Sequence, residues 1–197
     1  MLDVVAWLGY VPHAGARAMT LGRSGTTGVV VPTIDNAIFA RGVQAFQRRM
    51  VAAGRYVLLA IGDYDADQEL AQVGNLVERG VDALALTGLS QRPALLELLR
   101  RRGLPWVHCG SYPAPPGRAC AGIRNRAVVA QGVRYLLDLG HRHFAMLAGV
   151  TRGNDRAAER VQGVREALRG VGLGLPATAL QEAPTTCSRR AGPRAGC

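Results

Sequence analysis

The side chains able to do chemistry are few, and their spacing narrows what they could do. His108 precedes Cys109, and His141 and His143 follow Asp138 closely, so a nucleophile and a base can be paired on paper. His108, however, falls inside a strand and reads as a buried, satisfied histidine. His141 and His143 open a strand just after a helix stop. Asp63, Asp65 and Asp67 alternate as in a calcium loop, but the glycine and distal glutamate of such a loop are missing. Hydrogen bonding to a ligand, or capping the helix that begins near Asp67, is their expected work. Cys109, Cys120, Cys187 and Cys197 make no CxxC pair and no Cys/His ligand spacing, so they read as reduced thiols. The sequence contains no GxSxG or HExxH, and no GxGxxG opens a helix after the first strand. No enzymatic activity, metal or cofactor is expected.

All 24 basic residues are arginine. With no lysine, a Walker A lysine, a Schiff-base lysine and a lysine nucleophile are all excluded. The net charge of +10 invites a nucleic-acid reading, but its distribution weakens it. Arg189, Arg190 and Arg194 lie close to the C-terminus, while Arg100, Arg101 and Arg102 share one last helical turn, where the helix dipole favours cations. Most of the excess therefore reads as solvated surface.

These residues need elements to position them, and 197 residues that are 48% hydrophobic suffice for one domain or two small ones. Five apolar runs read as strands buried on both faces: 28–32 (GVVVP), 56–61 (YVLLAI), 83–86 (ALAL), 106–109 (WVHC) and 144–148 (FAMLA). Between them Leu70, Val73, Leu76 and Val77 recur at helical spacing, as do Val129, Val133, Leu136 and Leu137. Gly54, Gly80, Gly103 and Gly140 follow the helices where a left-handed stop is wanted. Strand and helix in alternation predict a doubly wound parallel α/β sheet, whose ligands bind beyond the strand carboxyl ends. Those ends carry Thr33, Asp35 and Asn36, then Asp63, Tyr64 and Asp65, then Thr87, then Gly110 and Ser111, and finally 151–155. The proline-rich stretch 111–122 (SYPAPPGRACAG) reads as a crossover between two subdomains, with a cleft between them. No apolar run approaches the roughly 20 residues of a spanning helix, and a cytoplasmic protein without membrane contact is expected.

Both ends depart from this pattern. Residues 1–11 (MLDVVAWLGYV) read as the last helix of something larger. Residues 185–197 lose apolar periodicity and have the composition of a GC-rich gene read out of frame.

Two segments carry a family resemblance. Residues 8–22 (LGYVPHAGARAMTLG), running into 28–39 (GVVVPTIDNAIF), resemble the hinge and first effector-domain strand of LacI/GalR-type transcription repressors. Residues 139–149 (LGHRHFAMLAG), followed by Arg160 and Gly163, are similar to that family's second signature. The resemblance extends over residues 1–184. It implies a periplasmic-binding-protein-like type I α/β fold, with two doubly wound parallel-sheet subdomains and the second one incomplete. By the same resemblance, residues 1–9 are the end of a helix-turn-helix, 10–24 the hinge, 25–112 the first subdomain, 113–184 part of the second, and 185–197 an aberrant tail.

The resemblance further implies that Pro12 starts the hinge and that Ala16 and Arg17 enter the minor groove of operator DNA. Met19 stands in for the leucine usually wedged between base pairs, an apolar wedge whose unstacking cost is offset by the contacts a bend allows. Asn36, Ile38, Phe39, Asp63 and Arg160 are implied to face a small-molecule effector, a sugar or nucleobase. Phe39 would stack on it and the Arg160 fork would clasp hydroxyls or a carboxylate. Asn125 matches the asparagine of the family's Asp-Asn pair, whereas Arg124 replaces the aspartate. The expected function is that of a ligand-responsive repressor, a homodimer on operator DNA, of which this chain is a piece lacking the base-reading helices. A stand-alone sugar-binding protein and a nonfunctional gene remnant are the other two readings.

Overall fold

The computed structural model describes Trp7 and residues 14–184. A short helix, α1 (Ala14–Leu21), precedes an alternation of strands and helices: β1 (Thr26–Val31), α2 (Ala37–Ala52), β2 (Tyr56–Ile61), α3 (Ala66–Glu78), β3 (Ala83–Thr87), α4 (Pro93–Arg101) and β4 (Trp106–Ser111). Then come β5 (Ala119–Ile123), α5 (Asn125–Asp138), β6 (Met146–Gly149), α6 (Asp155–Arg169) and β7 (Leu180–Ala183). The first five strands form one parallel sheet in the order β2-β1-β3-β4-β5. β6 and β7 pair, also in parallel, in a second sheet. The doubly wound α/β architecture expected from the sequence is the one observed.

The period of two in β1 divides its valines between two cores. Val30 packs on one face with Leu84 and Leu86 of β3, beneath Val73 and Leu76 of α3 and Leu95 and Leu99 of α4. Val29 and Val31 face the other way with Ala85, against Phe39, Val43 and Phe46 of α2. Each fully buried Leu or Val stabilises by roughly 1.5–3 kcal/mol, so the α3/α4 face is the stronger. α2, by contrast, has no fully buried residue. A third core joins Ala130, Val133 and Leu137 of α5 to Val164, Ala167 and Leu168 of α6.

The helix stops behave as their glycines require: Gly80 (φ 69°) and Gly103 (φ 63°) both take the left-handed conformation that an L side chain resists. α3 is capped by Asp65, whose Oδ1 accepts from the N–H groups of Asp67 and Gln68 at 2.8 Å each. Capping is thus one observed duty of the aspartate triplet.

Three differences from the sequence reading have physical reasons. β5 (ACAGI) lies within and just beyond the stretch read as a crossover, so the chain leaves the first sheet only after Ile123. Its small residues and edge position give no apolar run to detect. β7 escapes sequence reading for a similar reason, since LQEA is half polar. Phe144, expected in a strand, instead packs against the α5/α6 core, and β6 begins at Met146.

Of the expected hinge, Ala16, Arg17 and Met19 fall in α1, and Met19 is 88% exposed. Pro12 lies outside the described residues, as do residues 1–9 apart from Trp7 and all of 185–197. The segment carrying α1 joins the sheet through Asp82, which accepts from the N–H of Ser24 and of Gly25 at 2.8 Å each. No helix among the described residues is long and apolar enough to cross a membrane.

Candidate functional site

A cavity of about 540 Å³ opens beyond the carboxyl ends of β1, β3 and β4. That volume is within the range of small-molecule sites. Its apolar wall is the sheet face formed by Val29, Val31 and Ala85 together with Phe39 of α2. Its polar wall comes from Asn36, Tyr64, Asn125, Asn154, Arg156 and Arg160. The lining comes from distant parts of the chain: Asn36, Ile38 and Phe39 from the start of α2, Tyr64 from the turn after β2, and Asn125, Asn154, Arg156 and Arg160 from the starts of α5 and α6.

Asn36 is held as the cap of α2, its Oδ1 accepting from the N–H of Ile38 at 2.9 Å. That cap sets the first turn of α2, so Ile38 (78% exposed) stands at the mouth and Phe39 is half-buried against the sheet. Four of the five residues expected to face a ligand, Asn36, Ile38, Phe39 and Arg160, therefore line one cavity. Asp63 does not: it is exposed, outside the lining, and Tyr64 occupies the cavity in its place. The reason is local backbone geometry. Asp63 (φ 49°) and Tyr64 (φ 57°) both take the left-handed conformation, which turns the chain sharply after β2. Such non-glycine residues each cost about 1–3 kcal/mol and collect at sites where the surroundings enforce them.

The α6 wall is built by helical spacing. Arg156 and Arg160 are one turn apart and share a face of α6. Arg160 Nη1 donates to Asn125 Oδ1 at 2.9 Å, and Asn125 Nδ2 donates to the carbonyl of Gly110 at 3.0 Å. This chain of bonds runs from α6 through α5 to the end of β4. Arg156 is 9% exposed and pairs with Asp155 at 3.2 Å, while Asp155 also accepts from the hydroxyl of Ser111 at 2.5 Å. Gly88 (φ 79°) makes room for this guanidinium, which a Cβ there would overlap. Burial first, and then the neighbouring Arg156 charge, hold Arg160 below the usual arginine pKa. Burial pushes up the pKa of the Glu69 carboxyl, which accepts from Gln91 at 3.3 Å and feels the charge of Arg156.

Other residues of the expected polar rim do structural work. Thr87 Oγ1 donates to the carbonyl of Val30 at 2.8 Å, and Thr33 Oγ1 accepts from the N–H of Asp35 at 3.0 Å. Arg124 lies outside the cavity with its guanidinium 5.3 Å from the centre of the Tyr112 ring, a cation–π contact. His108 is fully buried, as expected for a satisfied histidine. It accepts from Trp106 Nε1 at Nε2 (3.1 Å), which leaves Nδ1 to donate to the carbonyl of Gly88 at 3.0 Å. Sequence reasoning does not single out Arg156 or Tyr64. An arginine one helical turn before Arg160 is the available signal for the first; the second stands in the expected polar rim after β2, though not among the residues expected to face a ligand.

The model of the family described as periplasmic binding proteins and sugar binding domain of LacI family matches residues 24–191. The chain belongs to this family. The transcriptional regulator CelR of Thermobifida fusca is 30% identical over 178 residues, covering 84% of this chain and 50% of that protein. Catabolite control protein A of Priestia megaterium is 25% identical over 173 residues, covering 88% of this chain and 52% of its own length. Among solved structures, transcription regulator GntR from Chromobacterium violaceum superposes with a TM-score of 0.74 at 27% identity, over 81% of this chain and 58% of that one. A structure described as a CelR-cellobiose complex does so at 0.68 and 25%, over 92% and 55%. The relatives of this LacI-family chain are transcriptional regulators, and it spans about half the length of the curated relatives it matches.

Proposed function

We propose that this chain is the effector-sensing portion of a LacI-type transcriptional repressor, binding a small molecule, a sugar or nucleobase, in the cavity between the first sheet and α5/α6. The observation that carries this reading is the convergence of Asn36 and Phe39 from one side with Asn125 and Arg160 from the other on a single cavity. An aromatic face beside amide and guanidinium donors suits a hydroxylated ring. The cellobiose bound by a CelR relative supports the sugar class.

Regulation then follows from differential binding. A ligand held by both walls favours their closed arrangement, and closure changes how two hinges, brought together in a homodimer, sit on operator DNA. The hinge reading assigns minor-groove contact to Pro12, Ala16 and Arg17, with Met19 as the wedge; the exposure of Met19 on α1 supports it. The work of such a regulator is cytoplasmic. Thermal melts against a panel of mono- and disaccharides, sugar acids and nucleobases test the reading. A true effector at a hundredfold its Kd adds about 2.7 kcal/mol of stability, and a panel with no stabilising member counts against it.

A further inference from the structure

Arginines crowd one end of the first sheet's layer. Because the strands are parallel, α2, α3 and α4 all run back and end beside the amino ends of the strands. Arg48 and Arg49 close α2, Arg79 follows α3, and Arg100, Arg101 and Arg102 close α4. Arg23 and Arg55, in the loops leading into β1 and β2, join them at this end. Against these stand three carboxylates: Glu78, Asp82, which lies 3.7 Å from Arg55, and Glu97, which pairs with Arg100 and Arg101. The opposite end mixes both signs, with Asp35, Asp63, Asp65, Asp67 and Glu69 in and after the strand-exit loops beside Arg41, Arg92, Arg156 and Arg160.

The helix dipole accounts for an arginine at any one helix end. It does not account for Arg23 and Arg55, which lie in loops, nor for what shares this end with them. A depression of about 640 Å³ is lined by Arg23, Arg55 and Arg79 together with Ala18 and Gly22, from α1 and the residue that ends it. The segment read as the hinge is thus seated against the basic end of the sheet. All these arginines are exposed except Arg55, which is half-buried.

We infer that the amino-end face of the first sheet is a second DNA-contacting surface, on which Arg79, Arg100 and Arg102 with their neighbours meet the phosphates of duplex DNA flanking the hinge. Several exposed guanidiniums at one end, with few carboxylates, suit a polyanion recognised by charge rather than by base sequence. The inference rests on the reading that α1 belongs to a DNA-entering hinge.

The test is fluorescence anisotropy of the 197-residue chain on a 30-base-pair duplex of arbitrary sequence across a salt series, with circular dichroism to establish that each variant is folded. The triple variant Arg79→Gln, Arg100→Gln, Arg102→Gln is expected to bind at least tenfold more weakly at low salt. Its log K against log salt slope should be shallower by about 2–3, near 0.9 for each phosphate no longer neutralised. Arg79→Gln and Arg102→Gln alone should each give a proportionate part, and the double variant Arg41→Gln, Arg92→Gln at the other end should leave the slope unchanged. Wild-type affinity and slope in the triple variant overturn the inference, as does face-dependent binding that is stronger to anionic phosphatidylserine vesicles than to the duplex. Met19→Ala separates the two readings. Weakened binding with Met19→Ala but not with the triple variant leaves the hinge standing and removes the face, whereas weakening with neither removes both.

Discussion

Arg160 and Asn125 are joined by a 2.9 Å hydrogen bond that spans α6 and α5, and the same asparagine is anchored to the carbonyl of Gly110 at the end of β4. The guanidinium is held by a neutral amide, and its remaining N–H donors are available to a ligand in the cavity. It is part of the wall, and under the proposed function it is a donor to the effector.

Arg160→Ala should abolish effector-induced thermal stabilisation while shifting the ligand-free melting temperature only slightly. Arg160→Lys should restore little, because an ammonium cannot reproduce the planar fork. Differential scanning fluorimetry with and without effector reads both. Undiminished stabilisation of the alanine variant would remove Arg160 from the site.

Gly163 permits the close crossing of α5 and α6. A Cβ at this position would overlap the backbone carbonyl of Arg126, whose side chain pairs with Glu159 and Glu166 of α6. Gly163→Ala gains helix propensity but must push the helices apart, so a net destabilisation of about 1–3 kcal/mol is expected in urea unfolding. Removing the two ion pairs with Arg126→Gln should change stability little, since Arg126 and both glutamates are well exposed.

Arg160 and Gly163 also show what is readable in the sequence. The resemblance of residues 139–149 with Arg160 and Gly163 to the family's second signature is what picks out α6, and the close helix crossing gives the glycine its physical reason. Tyr64 is legible only as one residue of the polar rim after β2: two consecutive left-handed residues bring it to the cavity, and nothing in GDYD demands that turn. β5 stays hidden because an edge strand of small residues lacks the continuous apolar run by which β1 to β4 declare themselves; such a run does not ensure burial on both faces, since β2 is itself an edge strand with Tyr56 and Leu59 exposed. Arg48, Arg79 and Arg102 are far apart in the chain, and only the parallel topology brings them to one end.

His108 predicts a pH dependence. Burial is the larger influence and lowers its pKa, outweighing the opposing hydrogen bond to Gly88. The unfolded chain therefore takes up the proton first. Stability from this residue is complete above the ordinary histidine value near 6.5 and is lost as pH falls from there towards the folded pKa, at no more than about 1.4 kcal/mol per pH unit. His108→Gln, able to accept from Trp106 and donate to Gly88, should flatten the stability profile below the ordinary histidine value near 6.5. An unchanged profile would show that His108 does not govern it.

Where an effector binds decides whether the cavity is the sensing site. Amide chemical shifts of the 15N-labelled chain, followed during titration with a stabilising sugar or nucleobase, measure this residue by residue. Saturable shifts at Phe39, Tyr64, Gly110, Asn125 and Arg160 together are the predicted result. Shifts confined to one wall of the cavity, or lying elsewhere on the molecule, would contradict it.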